Sequence, residues 1–178
     1  MKDVTFSDAS GRHFQHNTPL SQPAFAAFCH DRERLYVSFC CLEASPDKVV
    51  GNVRKHDGPM WEADSVEFFV APDPVVTPGE FRQVIVSVSG AVYDARDGAA
   101  GKWAPSIEAK TTIGDRFWAA ETALPLGELG LNAVTPGTTL RINVNRSRQV
   151  PDLKEIGGWQ FVDGRNDNVS TFAQLVLE

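Results

Sequence analysis

No stretch of this sequence sustains a helical repeat beyond about two turns. Apolar residues recur instead at every second position, in short runs closed by Gly, Pro or Asp. Such runs are strands that bury one face, and strands of that kind close a core by packing sheet on sheet. The expected fold is all-β: an antiparallel β-sandwich, jelly-roll-like, with little or no helix. The chain has 178 residues, and residues 1–178 are read as one domain able to bury a core without disulfide or metal staples.

The alternation assigns faces. Residues 24–29 and 34–41 read as a hairpin across His30, Asp31, Arg32 and Glu33, with Leu35, Val37, Phe39 and Cys41 inward. In the strand at 66–71, Val66, Phe68 and Val70 point one way and Glu67, Phe69 and Ala71 the other. Residues 81–88 place Gln83, Ile85 and Ser87 on one face. Residues 107–113 and 116–123 form a hairpin about Gly114 and Asp115, with Trp118 inward. Residues 139–146 turn Leu140, Ile142 and Val144 to the core and Arg141, Asn143 and Asn145 away, and residues 171–177 close the sheet. Residues 1–22 read as a leading strand and a loop. Residues 43–60, 95–105 and 147–171 read as loops, and Leu124–Gly130 as one helical turn at most.

A formal net charge of -6, with 17 Lys and Arg gathered in no run, argues against nucleic-acid binding and against a polybasic membrane anchor. No apolar run approaches the ~18 residues that cross a bilayer. The opening M-K-D-V-T-F-S-D has no apolar signal-peptide core, and the strand-like ending leads us to expect a segment of a larger secreted or periplasmic protein. Cys29, Cys40 and Cys41 are odd in number, with two of them adjacent, so no disulfide framework is expected and they read as small fillers.

Glu67 is the residue that does not fit its surroundings. A carboxylate sharing a strand face with Phe69 and Ala71 costs free energy unless something binds it. It follows Trp61, Glu62 and Asp64 and a turn at Asp57, Gly58 and Pro59. Trp61, Trp103 and Trp159 lie in loops or at strand starts, where an indole can stack on the C–H face of a sugar. Gln83, Arg141, Asn143 and Asn145 could add directed hydrogen bonds to vicinal hydroxyls. They would meet Glu67 only if strands 66–71, 81–88 and 139–146 are neighbours.

Support for catalysis is thin. There is no G-x-S-x-G, and His13, His16, His30 and His56 all fall in turns or polar loops. The acids Asp57, Glu62 and Asp64, Asp94 and Asp97, and Asp163 and Asp167 could supply calcium with oxygen ligands, without matching an EF-hand. Met60 near His56 allows a haem held by Met and His.

The motif order resembles the family 9 carbohydrate-binding modules and their wider DOMON-like relatives. It runs R-L-Y-V-S-F-C-C-L-E, W-E-A-D-S-V-E-F-F-V-A-P, F-R-Q-V-I-V-S-V-S-G, F-W-A-A-E-T-A-L-P-L-G and L-R-I-N-V-N-R, with a late Trp and F-A-Q-L-V-L. The resemblance covers residues 24–177, and its most specific part is W-x-x-D-x-V-E, from Trp61 to Glu67. It implies a sandwich that binds sugars between two tryptophans. Trp61 would be the first and Trp159 the second, with Glu67 accepting hydroxyls and Gln83 or Arg82 as polar partner. It also implies structural calcium and attachment to a catalytic domain that degrades glycans. The expected function is therefore non-catalytic binding of a poly- or oligosaccharide through Trp61, Glu67, Arg82, Gln83, Asn143, Asn145 and Trp159. A haem-binding electron-transfer domain and a docking domain without a ligand are the alternatives.

Overall fold

A computed structural model describes residues 2–5, 20–73, 80–131, 134–151, 153–159 and 166–178. The strands are β1 (Lys2–Thr5), β2 (Ala24–His30), β3 (Arg34–Leu42), β4 (Ser65–Pro72), β5 (Arg82–Ser87) and β6 (Val92–Arg96), followed by β7 (Ala99–Ala100), β8 (Glu108–Ile113), β9 (Phe117–Pro125), β10 (Thr138–Val150), β11 (Leu153–Gly158) and β12 (Ala173–Leu177). They form two antiparallel sheets. One has the order β1-β2-β3-β9-β8; the other runs β11-β10-β4-β5-β6-β7, with β12 also paired to β10. The described helical segments are single 3-10 turns, at Pro46–Lys48, Met60–Glu62, Leu126–Leu129 and Val169–Thr171. This is the all-β sandwich expected from the alternation.

The core lies between the sheets. Leu35, Val37 and Phe39 of β3 and Trp118 of β9 meet Val66, Phe68 and Val70 of β4 and Leu140, Ile142 and Val144 of β10. Phe39 and Phe68 pack across the layers with ring centroids 6.5 Å apart. The opposite face of β4 is also covered: Phe69 and Ala71 pack with Phe81, Val169 and Phe172. Apolar packing on both faces explains why β4 reads as an almost continuous apolar run broken by Glu67.

Two segments read as loops are paired. Residues 97 and 98 take positive φ (Asp97 53°, Gly98 72°), the requirement of a tight primed turn, and β6 returns as the two-residue β7. More consequentially, the strand expected to end at residue 146 continues to Val150 and turns back as β11, with Arg148 opposite Glu155. The inward positions after Val144 are Arg146 and Arg148, whose charge disguised a core-facing strand. Arg148 holds Glu43 in a fork, Nε to Oε2 at 2.7 Å and Nη2 to Oε1 at 2.9 Å. Arg146 Nη2 reaches the same Oε2 at 3.3 Å. Its Nη1 donates to the carbonyls of Gln22, Pro23 and Leu42 at 3.0, 3.3 and 2.9 Å.

Burial alone would raise the Glu43 carboxyl. The hydrogen bonds from Arg148 and from the Ser45 N–H, together with both guanidinium charges, outweigh it and hold the group below the usual carboxylate value. The cysteines are free, and Cys29 is exposed rather than a filler. His13 and His16 lie outside the described residues.

Removing the shared anion should leave two buried cations uncompensated. Glu43→Gln is expected to cost about 3–5 kcal/mol in urea unfolding, while the exposed Trp61→Ala stays within about 0.5 kcal/mol. Because the folded value of Glu43 is depressed, this stabilisation is present above the ordinary carboxylate value and is lost as pH falls through the folded one. Equal unfolding midpoints for wild type and Glu43→Gln would remove the triad from the account of stability.

Candidate functional site

β5, β4 and β10 are neighbours, which is the condition the sequence left open. The register sets Glu67 opposite Asn145 on β10 and opposite Ile85 on β5. Gln83, opposite Phe69, is one diagonal step away on the same face. Ser147 lies between Ser65 of β4 and Ile156 of β11. Trp61, Glu67, Gln83, Ile85, Asn145, Ser147, Ile156 and Asn166 line a cleft of about 250 Å³ with Ser65.

Glu67 is the hub of this cleft. Its Oε1 accepts from Gln83 Nε2 at 2.5 Å. Its Oε2 accepts from Nδ2 of Asn145 and Nδ2 of Asn166, each at 2.9 Å. Three amide donors occupy three of roughly four lone-pair positions, in a carboxylate that itself lines the cleft. Burial pushes the carboxyl up to about 7, against the pull of the Gln83 and Asn145 hydrogen bonds; the charge of Asp167 adds to the rise and Asn166 opposes it.

The amides are themselves held. Asn143 Nδ2 donates to the Asn166 carbonyl at 2.8 Å, so Asn143 positions Asn166 from behind and does not line the cleft. Asn145 lies over Gly158: a Cβ there would fall 1.8 Å from Asn145 Oδ1 and 2.8 Å from the Val144 carbonyl. Only glycine leaves Asn145 room to reach Glu67.

The W-x-x-D-x-V-E stretch divides its labour. Trp61 sits on the Met60–Glu62 turn with 60% of its surface exposed. Met60 beneath it is buried with Val53 and Ala63, against Ile85, Ala91 and Tyr93, and anchors the turn. Asp64 is a latch. Its Oδ2 accepts the Val50 N–H at 2.8 Å, its N–H donates to the Val50 carbonyl at 2.9 Å, and its carbonyl accepts the Val88 N–H at 2.8 Å. Val66 enters the core. Glu67 alone of the acids in this stretch reaches the cleft.

The other expected residues fall elsewhere. Arg82 lies on the inner face of β5, its guanidinium 5.8 Å from the Trp103 ring centroid. Trp103 is buried in the main core, and Trp159 is partly buried against it. Among the described residues, neither Arg82 nor Trp159 lines the cleft, so Trp61 is the only tryptophan there. A loop tryptophan that caps a core and one that faces solvent look alike in sequence. Asn166, Ile156 and Ser147 were missed because they lay in what read as one polar loop, and no sequence signal set Asn166 apart from Asn168.

Of the acidic loops, Asp57 and Asp94 converge with His56, and one ligand atom from each lies within 4.8 Å of the others, a set that can hold a metal ion. Asp97 instead accepts the Phe81 N–H at 3.0 Å, and Asp163 lies outside the described residues. Met60, the proposed haem ligand, is packed in its small core. A larger hollow of about 320 Å³ lies on the outer face of the five-stranded sheet, lined by Cys29, Tyr36, Ser38, Lys110 and Glu121 among others. It contains no tryptophan and none of the expected site residues.

No family model matches the sequence, and no curated protein matches it. Solved structures do. A family 9 carbohydrate-binding module from Caldicellulosiruptor kristjanssonii, in complex with glucose, superposes with a TM-score of 0.69 at 13% identity, covering 90% of this chain and 79% of that one. In complex with cellotriose the figures are 0.68, 14%, 90% and 77%. A candidate carbohydrate-binding protein from Bacteroides uniformis superposes with a TM-score of 0.68 at 14% identity, covering 93% of this chain and 81% of its own. At these identities the shared property is architecture: the chain has the β-sandwich fold of family 9 carbohydrate-binding modules.

Proposed function

We propose that this protein binds carbohydrate and performs no chemistry on it, through the cleft between Trp61 and Glu67. The carrying observation is the pairing of an exposed indole, 60% accessible, with a carboxylate held by three side-chain amides at one cleft. The indole offers a flat face to sugar C–H groups, and the carboxylate and amides offer fixed acceptors and donors to hydroxyls. Ile85 and Ile156 supply the remaining apolar wall. Among the described residues Glu67 is the only carboxylate lining the cleft, whereas glycoside hydrolysis ordinarily needs two.

A volume of about 250 Å³ falls below the ~300 Å³ at which sites for drug-sized ligands begin, which suits a terminal sugar ring. The related module seen with glucose and cellotriose supports gluco-configured sugars as the first ligands to test. The motif resemblance supports an accessory role beside a glycan-degrading enzyme, exported with it. Calcium, the ion that resemblance implies, is supported by the acidity of the loops. The described donors that do cluster include an imidazole, which calcium does not favour.

Titration with glucose, cellobiose, cellotriose and other oligosaccharides should give a saturable change in tryptophan fluorescence. Trp61→Ala should weaken binding by about 2 kcal/mol or more, roughly thirtyfold, with an unchanged circular dichroism spectrum. Unaltered affinity in that variant, or a flat response across the panel, would overturn the reading.

Binding should also follow the Glu67 proton. A hydroxyl donates more strongly to the ionised Glu67 carboxylate than to the neutral acid, so affinity should level off above the value of about 7. Below it affinity should fall, by at most roughly tenfold per pH unit. Ligand-free stability runs the other way. The unfolded chain releases this proton at the ordinary carboxylate value, so stability declines as pH rises from there to about 7. Calorimetry across this range reads the first effect, and an affinity that does not change with pH would contradict it.

A further inference from the structure

His56, Asp57 and Asp94 form a second constellation that the sugar site does not use. His56 Nε2 lies 3.1 Å from Asp94 Oδ2 and 3.6 Å from Asp57 Oδ1. The backbone fixes this meeting. Asp57 adopts a left-handed φ of 55°, its N–H donates to the Val92 carbonyl at 3.0 Å, and its Oδ1 accepts the Asp94 N–H at 3.3 Å. The loop ahead of Trp61 is thus folded back onto β6, with both carboxylates toward the imidazole.

Asp94 brings a buried and only partly satisfied charge to this cluster. Its side chain is only 2% exposed, yet its Oδ1 is buried and receives no hydrogen bond among the described residues. The other oxygen, Oδ2, is the one that meets His56; a buried carboxylate with an unpaired oxygen is costly, and a cation bound at Oδ2 or across both oxygens would offset its charge. The spacing fits a small one. Around tetrahedral zinc, with nitrogen and oxygen ligands at about 2.0–2.2 Å, neighbouring donor atoms stand about 3.3–3.6 Å apart. The two distances from His56 bracket that range. Two carboxylates supply charge, an imidazole favours a zinc-like metal over calcium or magnesium, and the exposed side of His56 leaves the fourth position to water.

We infer that His56, Asp57 and Asp94 form a site for a divalent transition metal of the zinc class, bound by one nitrogen and two carboxylate oxygens. The site is separate from the sugar cleft, and its occupancy fastens the 53–60 loop to β6.

The test uses the tag-free protein freed of metal by chelation. Zinc chloride titrated by calorimetry should give one saturable site. At roughly a hundredfold excess over Kd, the midpoint of thermal unfolding should rise by about 5 °C. Cobalt should give the visible bands of a four-coordinate ion. His56→Ala, at an exposed position, and Asp94→Asn should each weaken zinc at least tenfold, and calcium should not compete. Absence of saturation up to about 1 mM zinc, undiminished binding in His56→Ala, or displacement of zinc by calcium would overturn the assignment. None of these readouts involves a sugar, so the metal site and the sugar cleft stand or fall separately.

Discussion

The register between β4 and β10 is held from both faces at once. On the outer face Glu67 stands opposite Asn145, and one residue on, on the inner face, Val66 stands opposite Arg146. A slip of a single residue would exchange the faces. It would put the Glu67 carboxylate into the apolar interior and lift Arg146 away from Glu43 and its three carbonyl partners. Two polar clusters of opposite orientation therefore reinforce the alignment that the apolar alternation also sets. The cleft is a by-product of that alignment, since its floor is the outer cluster itself.

Much of the architecture was legible because period two is a strong signal where one face is apolar. Val66, Phe68, Val70, Leu140, Ile142 and Val144 all enter the core as their alternation demanded. Legibility failed where charge occupied an inward position. Arg146 looks like the end of a strand, and Arg148 and Glu155 like loop residues; they become core residues only as a set completed by Glu43. A partner more than a hundred residues away in sequence leaves no local trace.

The site was half legible for the same reason. Glu67 declared itself as an acid among apolar neighbours, and Gln83 and Asn145 followed from their strand faces once β5, β4 and β10 proved adjacent. Aromatic residues in loops were ambiguous. Trp61, Trp103 and Trp159 have similar sequence settings, but only Trp61 stands on a turn whose underside is already filled by Met60. Trp103 and Trp159 are themselves the filling. His56 looked like a surface residue and is one by exposure; what distinguishes it is the company of Asp57 and Asp94, which chain folding alone provides.

Gly158 illustrates how a position can govern a cleft without lining it. Any side chain there would displace the Asn145 amide and with it one of the donors that keep the Glu67 carboxylate in place. The bare position is required twice over, since a Cβ there would also meet the Val144 carbonyl of β10 itself. A chain of this fold with a larger residue at this point would have to move both the amide and the strand beside it, and would be expected to lose the Glu67 cluster.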